Sequence, residues 1–345
     1  PGCCGEYSYC RYEDLNEGNI PFEFPVRNER LKTVAQDDFK KIPGSPIAYW
    51  LSDEFREIFD NSDLLATAAH SLQGMITGNN DTFLRRWHEP RHDTLAIGFD
   101  SMEDVNKSAQ YWVPYNKGGD LRKWYGNNEF VLNWSNEGRD LTRSRTQNAA
   151  YYLKSCVTWT FISSSFFAAR HCPEGFVWDV AGSSAFPHTK AHHTMILALM
   201  CSSLGKKFLD ASNPTLNYQV ENILALPLHK SLGAIDAELS KNVGQLVNAT
   251  TTDWDSYERS WDFQTLPILT ASTDPNATLE DSYTAWIAGN RETIAEMKRL
   301  EEENNRLFIE AYGLQDELTP EVPIEQITLT VNPVYRYGGK LTEEE

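Results

Sequence analysis

The order of apolar and polar positions divides this chain into stretches of different character. The first 45 residues are turn-rich and irregular, and they close on Ile42-Pro-Gly-Ser-Pro46. A helix is predicted next, with Ser52 as N-cap and Phe55, Ile58 and Phe59 on one face. Ser101-Met-Glu-Asp104 has capping-box spacing with Asp in place of Glu. Between 94 and 182 the pattern turns to short runs rich in β-branched and aromatic residues. These are Thr94–Phe99, Glu129–Trp134, Val157–Ile162 and Phe176–Val180, each bounded by Gly, Asn or Ser and each predicted as a strand. His193 to Leu209 reads as one buried helix. Ala285 to Tyr312 is a long helical pattern with Ile294, Met297, Leu300, Leu307, Phe308 and Ala311 as its apolar stripe, stopped by Gly313. Gln326–Val331 is strand-like.

The class implied is α+β, with an irregular segment at 1–45, a mixed α+β domain at 46–230 and a more helical, acidic region at 231–345. The composition, 41% hydrophobic and 12% aromatic, is that of a folded chain and excludes wholesale disorder. The longest apolar run, Met195–Cys201, is far short of the ~20 residues of a membrane helix. There is no charged-then-apolar leader, and a first residue other than Met points to a piece of something longer. Cys156, Cys172 and Cys201 lie in apolar contexts suited to a reducing cytoplasm, which is the expected location. Cys3, Cys4 and Cys10 form no C-x-x-C pair, so no metal site is expected.

Charge changes the picture most. The net −18 disfavours a polyanionic partner, but it is unevenly spread. Residues 1–110 hold 11 basic and 19 acidic side chains, 111–172 hold 8 and 4, 173–230 hold 4 and 4, and 231–345 hold 8 and 22. A basic island of +4 therefore sits between acidic ends, and a polyanion responds to local potential. In and near it, cations, aromatics and amides interleave: Arg85, Arg86, Lys117, Arg122, Lys123, Arg143 and Arg145, with Trp124 and Tyr125 beside them. Lys and Arg hold phosphates, Arg and Asn read base edges, and Trp and Tyr stack on bases. Gly118 and Gly119 would let a loop approach a DNA backbone closely. An ordinary core with charged loop ends accounts for the same composition equally well. His188, His192 and His193 lack a companion carboxylate and read better as solvated histidines at a helix start than as metal ligands. There is no phosphate-binding Gly-rich loop and no G-x-S-x-G, and Ser163-Ser-Ser165 has no recognisable base, so no catalytic residue is assigned.

Longer blocks carry a resemblance. Gly74-Met-Ile-Thr-Gly-Asn-Asn-Asp-Thr-Phe-Leu-Arg-Arg-Trp-His-Glu89 and Tyr115-Asn-Lys-Gly-Gly-Asp-Leu-Arg-Lys-Trp-Tyr-Gly-Asn127 resemble the adenine-specific DNA methyltransferases of BREX phage-exclusion systems, the PglX family. Ile162–Phe166, Pro173–Ser184, Asn213–Gln219, Ser260–Phe263 and Tyr312–Glu321 match in the same order, across roughly 42–338. The family's S-adenosylmethionine loop has no counterpart here. Asn213-Pro-Thr-Leu216, Asn332-Pro-Val-Tyr335 and Asp274-Pro-Asn-Ala277 all lack the double Pro of the family's Asn-Pro-Pro-Tyr motif. The resemblance implies the downstream target-recognition part alone: a reader of double-stranded DNA that presents a flipped adenine for N6-methylation. It implies no cofactor in this chain, S-adenosylmethionine in the full-length family, a missing methyltransferase half on the same or a separate polypeptide, and other BREX components as further partners. The alternatives are a carbohydrate-active protein, suggested by 10 Trp and scattered carboxylates, and a partner-binding module built on the acidic helix 285–312.

Overall fold

The computed structural model describes residues 4–25, 27–141, 146–162, 166–213 and 215–338. The fold is α+β. Among the described residues, eight strands make two four-stranded sheets: β1 (Ala69–Leu72), β2 (Leu84–Arg86), β3 (Trp112–Asn116), β4 (Phe130–Asn133), β5 (Cys156–Trp159), β6 (Ala169–Cys172), β7 (Val177–Trp178) and β8 (Ser184–Pro187). The first sheet has the order β7-β3-β4-β2, and the second β1-β8-β5-β6. All pairings are antiparallel except β7 on β3, where Val177 lies against Tyr115 and Trp178 against Asn116.

The second sheet is covered on both faces, and the period of two along its strands shows how. Val157, Trp159, Ala169 and Ala185 point into a large core shared with the helices. Cys156, Cys172 and Phe186 point the other way, into a smaller core with Val113, Tyr115, Leu132 and Trp178 of the first sheet. Strands buried on both faces read as near-continuous apolar runs, and of these four only β5 stood out in the sequence, as part of Val157–Ile162.

Five helices matter for the site: α1 (Asp53–Asn61), α2 (Lys190–Met200), α3 (Ser203–Ser212), α4 (Asp236–Asp255) and α5 (Leu279–Tyr312). Ser52 caps α1, its hydroxyl accepting from the Phe55 amide at 3.0 Å. Ser101 accepts from the Asp104 amide as its spacing predicts. Gly313 ends α5 with φ 71°. That helix starts six residues earlier than its apolar stripe suggested, because Thr278 and Asp281 form a reciprocal capping box. Among the described residues, no helix is long and apolar enough to cross a membrane.

Three expected elements differ. The buried helix at 193–209 is two helices, because Ser202 turns its hydroxyl onto the Gly205 amide at 2.9 Å and starts α3. Gly205 permits that corner, since a Cβ there would lie 2.0 Å from the Leu199 carbonyl oxygen. Thr94–Phe99 makes one bridge, Leu95 with Trp112, before Gly98 at φ 83° turns the chain away. Gln326–Val331 is buried at its centre, Ile327 to Thr330, but joins no ladder among the described residues. Asp253 accepts from the Thr330 and Val331 amides, and the Asn332 side chain donates to the Ile324 and Ile327 carbonyls. Side chains thus do for this segment what a neighbouring strand would have done.

Candidate nucleic-acid interface

The Lys117-Gly118-Gly119 turn leaves β3 at one end of both sheets, and five other stretches meet it there. Asn116 anchors it, donating from Nδ2 to Thr158 Oγ1 at 2.6 Å while its Oδ1 accepts from the Gly118 amide at 3.2 Å. Thr160 donates to the Gly119 carbonyl at 2.9 Å. Met75 bridges Asp179, and Gln147 donates to the Gly74 carbonyl at 2.8 Å. Ile162 bridges Asn217. Exposed on this loop end are Ile76, Ile162 and Leu216, beside Gly119 and Asp120.

Gly118 does permit a close approach, but to the protein itself. It is buried at φ 85°, and a Cβ would lie 2.6 Å from the Ala181 carbonyl oxygen. Gly119, at φ 112°, is the exposed member of the pair. Lys117 is half-buried and fixed by Asp179, whose Oδ2 lies 2.6 Å from its Nζ. The same oxygen accepts from the Tyr115 hydroxyl at 2.7 Å, and Oδ1 from the Ala181 amide at 2.7 Å. Burial, reinforced by the Asp179 charge, pushes the Tyr115 phenol far above its usual range, so it stays a donor.

The expectation of one surface containing Arg122, Lys123, Trp124 and Tyr125 is corrected here: all four are buried. The Trp124 amide donates to the Ala169 carbonyl at 2.9 Å and its carbonyl accepts from the His171 amide at 2.7 Å, so this segment extends the edge of the second sheet beyond β6. The Arg122 guanidinium pairs with Asp253 at 3.1 Å, donates to Thr330 Oγ1 at 2.9 Å and lies 5.2 Å from the Trp254 ring centroid. Lys123 pairs with Glu301, which also accepts from Trp124 Nε1 at 2.9 Å. Burial raises the Glu301 carboxyl, opposed by Lys123. Burial likewise raises the Tyr125 phenol. Asp253 and Glu301 come from α4 and α5, so part of the basic island is neutralised inside the protein by the acidic C-terminal region.

Of the remaining cations, Arg85 and Arg86 are described. Arg85 is half-exposed and donates to its local Asp81 and Leu84 carbonyls at 2.7 and 2.6 Å. Arg86 is exposed, 3.5 Å from Glu129. Arg143 and Arg145 lie outside the described residues; Gln147, just after them, sits at the loop end. Sequence reasoning missed Asn116, Thr160 and Asp179, which build the turn. The Asp179-Val-Ala181 turn was the available signal, because Asp commonly bonds the amide two residues on.

The histidines are also rearranged. His193 is half-buried rather than freely solvated: its Nε2 lies 3.0 Å from His171 Nδ1, and burial lowers both pKa values, that of His193 to about 3. His188 stacks edge-on against His70 at 4.8 Å between centroids. Among the described residues there is no group of three His, Cys, Asp or Glu side chains able to hold a metal ion. Cys156 and Cys172 are buried, directly opposed free thiols on β5 and β6. Their mutual hydrogen bond, with burial, holds the Cys172 thiol well above its usual range. Burial moves the Cys201 thiol up to about 12. Arg170 is wholly buried, with Nε and Nη2 lacking a hydrogen-bond partner, and burial lowers it to about 10.

No protein-family model matches the chain. Two curated relatives do. The chain is 38% identical over 312 residues to the adenine-specific methyltransferase PglX of Lacticaseibacillus casei (strain Zhang), an alignment covering 86% of this chain and 26% of that protein. It is 31% identical over 343 residues to the adenine-specific methyltransferase BrxX of Escherichia coli O9:H4 (strain HS), covering 97% of this chain and 27% of that protein. The chain thus spans about a quarter of the length of the curated relatives it matches.

Proposed function

We propose that this chain, a member of the BREX PglX family over the quarter of those proteins' length that it spans, is the DNA target-recognition portion of an adenine-specific methyltransferase. The observation that carries this reading is the 38% identity over 312 residues to a protein of that activity. In it, the loop end around Lys117, Gly119, Thr160 and Asn217 faces duplex DNA. Lys117, held in place by Asp179, meets a phosphate, while amide and hydroxyl groups on neighbouring loops meet base edges. Arg122, Lys123, Trp124 and Tyr125 serve from beneath, fixing the turn that carries Lys117.

The methyl donor, S-adenosylmethionine, and the transfer to adenine N6 belong to the remainder of the full-length protein, which works on an extruded base. The partners of this chain are then double-stranded DNA and that methyltransferase portion, with the other BREX components around them in the cytoplasm. The chain alone neither binds S-adenosylmethionine nor methylates DNA.

The test is a segment exchange. This chain replaces the corresponding quarter of the Escherichia coli relative, and methylated adenines are mapped by single-molecule sequencing. The expected result is methylation retained in a new sequence context. An active hybrid that keeps the recipient's context would refute the recognition role.

A further inference from the structure

Helix α5 carries one continuous apolar stripe, of which only part is packed. At 100° per residue, Leu279, Tyr283, Trp286, Ile287, Ile294 and Met297 fall within about 100° of one another. Ile294 packs against the edge of the large core, and from Met297 onward the stripe enters it through Leu300, Leu307 and Phe308. Ahead of it none of residues 279–296 is buried, over a length of about 27 Å. The turn at Pro267–Leu269 lies along this arm and adds apolar surface of its own. Leu266, Leu269, Leu279 and Tyr283 are 46, 70, 73 and 52% exposed. A helix owes most of its stability in water to packing along its apolar face, so a stripe left half-exposed, with Trp286 and Ile287 only partly covered, calls for an occupant.

Charge narrows the choice. Between 266 and 296 there are five acids (Asp274, Glu280, Asp281, Glu292, Glu296) and one base (Arg291), a net of −4. Two arms facing each other would set −4 against −4, and two chains −18 against −18, so a second copy is disfavoured. About three quarters of the relatives' length lies outside this chain. We propose that the arm formed by residues 266–296 docks on that remaining part of the full-length polypeptide, in an apolar groove edged by Lys and Arg. The inference rests on the chain being a segment of a longer protein, and not on which surface meets DNA.

The experiment uses the full-length protein with the photo-crosslinker p-benzoylphenylalanine at Tyr283, cross-links being mapped by mass spectrometry. Expected are intramolecular cross-links to residues outside this segment. Amides 279–294 should also exchange at least about tenfold more slowly in the full-length protein than in this chain alone. Changing Leu279→Lys together with Tyr283→Lys should abolish that protection and leave the melting of the isolated chain unaltered, because both side chains are exposed. Cross-links confined to 266–296, directed to a second copy in a mixed isotope preparation, or directed to a separate protein would each overturn the proposal. DNA affinity measured on the same samples keeps the two readings apart: its loss with the cross-link intact counts against the recognition role alone.

Discussion

The Arg122 guanidinium lies 3.1 Å from the Asp253 carboxylate, 131 residues away in sequence, and both side chains are nearly inaccessible to water. Asp253 also takes hydrogen bonds from the amides of Thr330 and Val331. One carboxylate therefore ties the Lys117 turn, through Arg122, to α4 and to the segment before Asn332. Removing one member of such a pair strands the other charge in the interior, at a cost of about 3–5 kcal/mol. Asp253→Asn and Arg122→Ala should each lower the melting temperature strongly. If either variant melts like the parent, Arg122 is not held internally and returns to the list of DNA-facing cations.

Lys123 and Glu301 allow a sharper test, because replacing both charges of a buried pair is often neutral or stabilising. Lys123→Met and Glu301→Leu should each be clearly destabilising, by roughly the cost of an unpaired buried charge. The double variant should recover most of that loss. Additive losses in a denaturant double-mutant cycle would show that the two side chains do not meet.

These pairs mark where the sequence was legible and where it was not. The Ser52 cap, the Gly313 stop and the stripe from Ile294 to Ala311 depend on neighbours within a few residues, and pattern reading locates them. β5 was visible as the front of the apolar run Val157–Ile162 for the same reason. Arg122 and Lys123 look like ligands for a polyanion because their acids, Asp253 and Glu301, lie 131 and 178 residues away. Segment charge counts separate what folding brings together. The break at Ser202 was missed because a hydroxyl that caps a helix and one inside it look alike without the Gly205 contact.

The half-buried His171–His193 pair sets a pH dependence of known sign. Burial holds His193 at about 3, below the ordinary 6.5. The unfolded chain therefore binds more protons than the folded one between those values. The contribution from the neutral ring is fully present above pH 6.5 and is lost progressively as pH falls toward 3. His193→Gln cannot titrate, so its melting temperature should fall less than the parent's between pH 7.5 and pH 5. Parallel curves for the two proteins would show that His193 titrates as freely as an exposed imidazole.

One substitution at two glycines should act in opposite directions. At Gly118, alanine would have to hold φ 85° with its Cβ 2.6 Å from the Ala181 carbonyl oxygen. The backbone strain alone costs about 1–3 kcal/mol, and the clash with rigid backbone adds to it. At Gly244, inside α4, a Cβ meets nothing within 4 Å. There alanine removes freedom from the unfolded chain and favours the helix, a gain of about 0.5–1 kcal/mol. Chemical denaturation should show Gly118→Ala unfolding at lower denaturant than the parent and Gly244→Ala at higher. Since the Gly118 strain falls on the turn that carries Lys117, that variant should also exchange the amides of 116–120 faster, while Gly244→Ala leaves them unchanged. Equal stability for Gly118→Ala and the parent would mean that the turn does not pack against Ala181, and Lys117 would lose the fixed position argued for it.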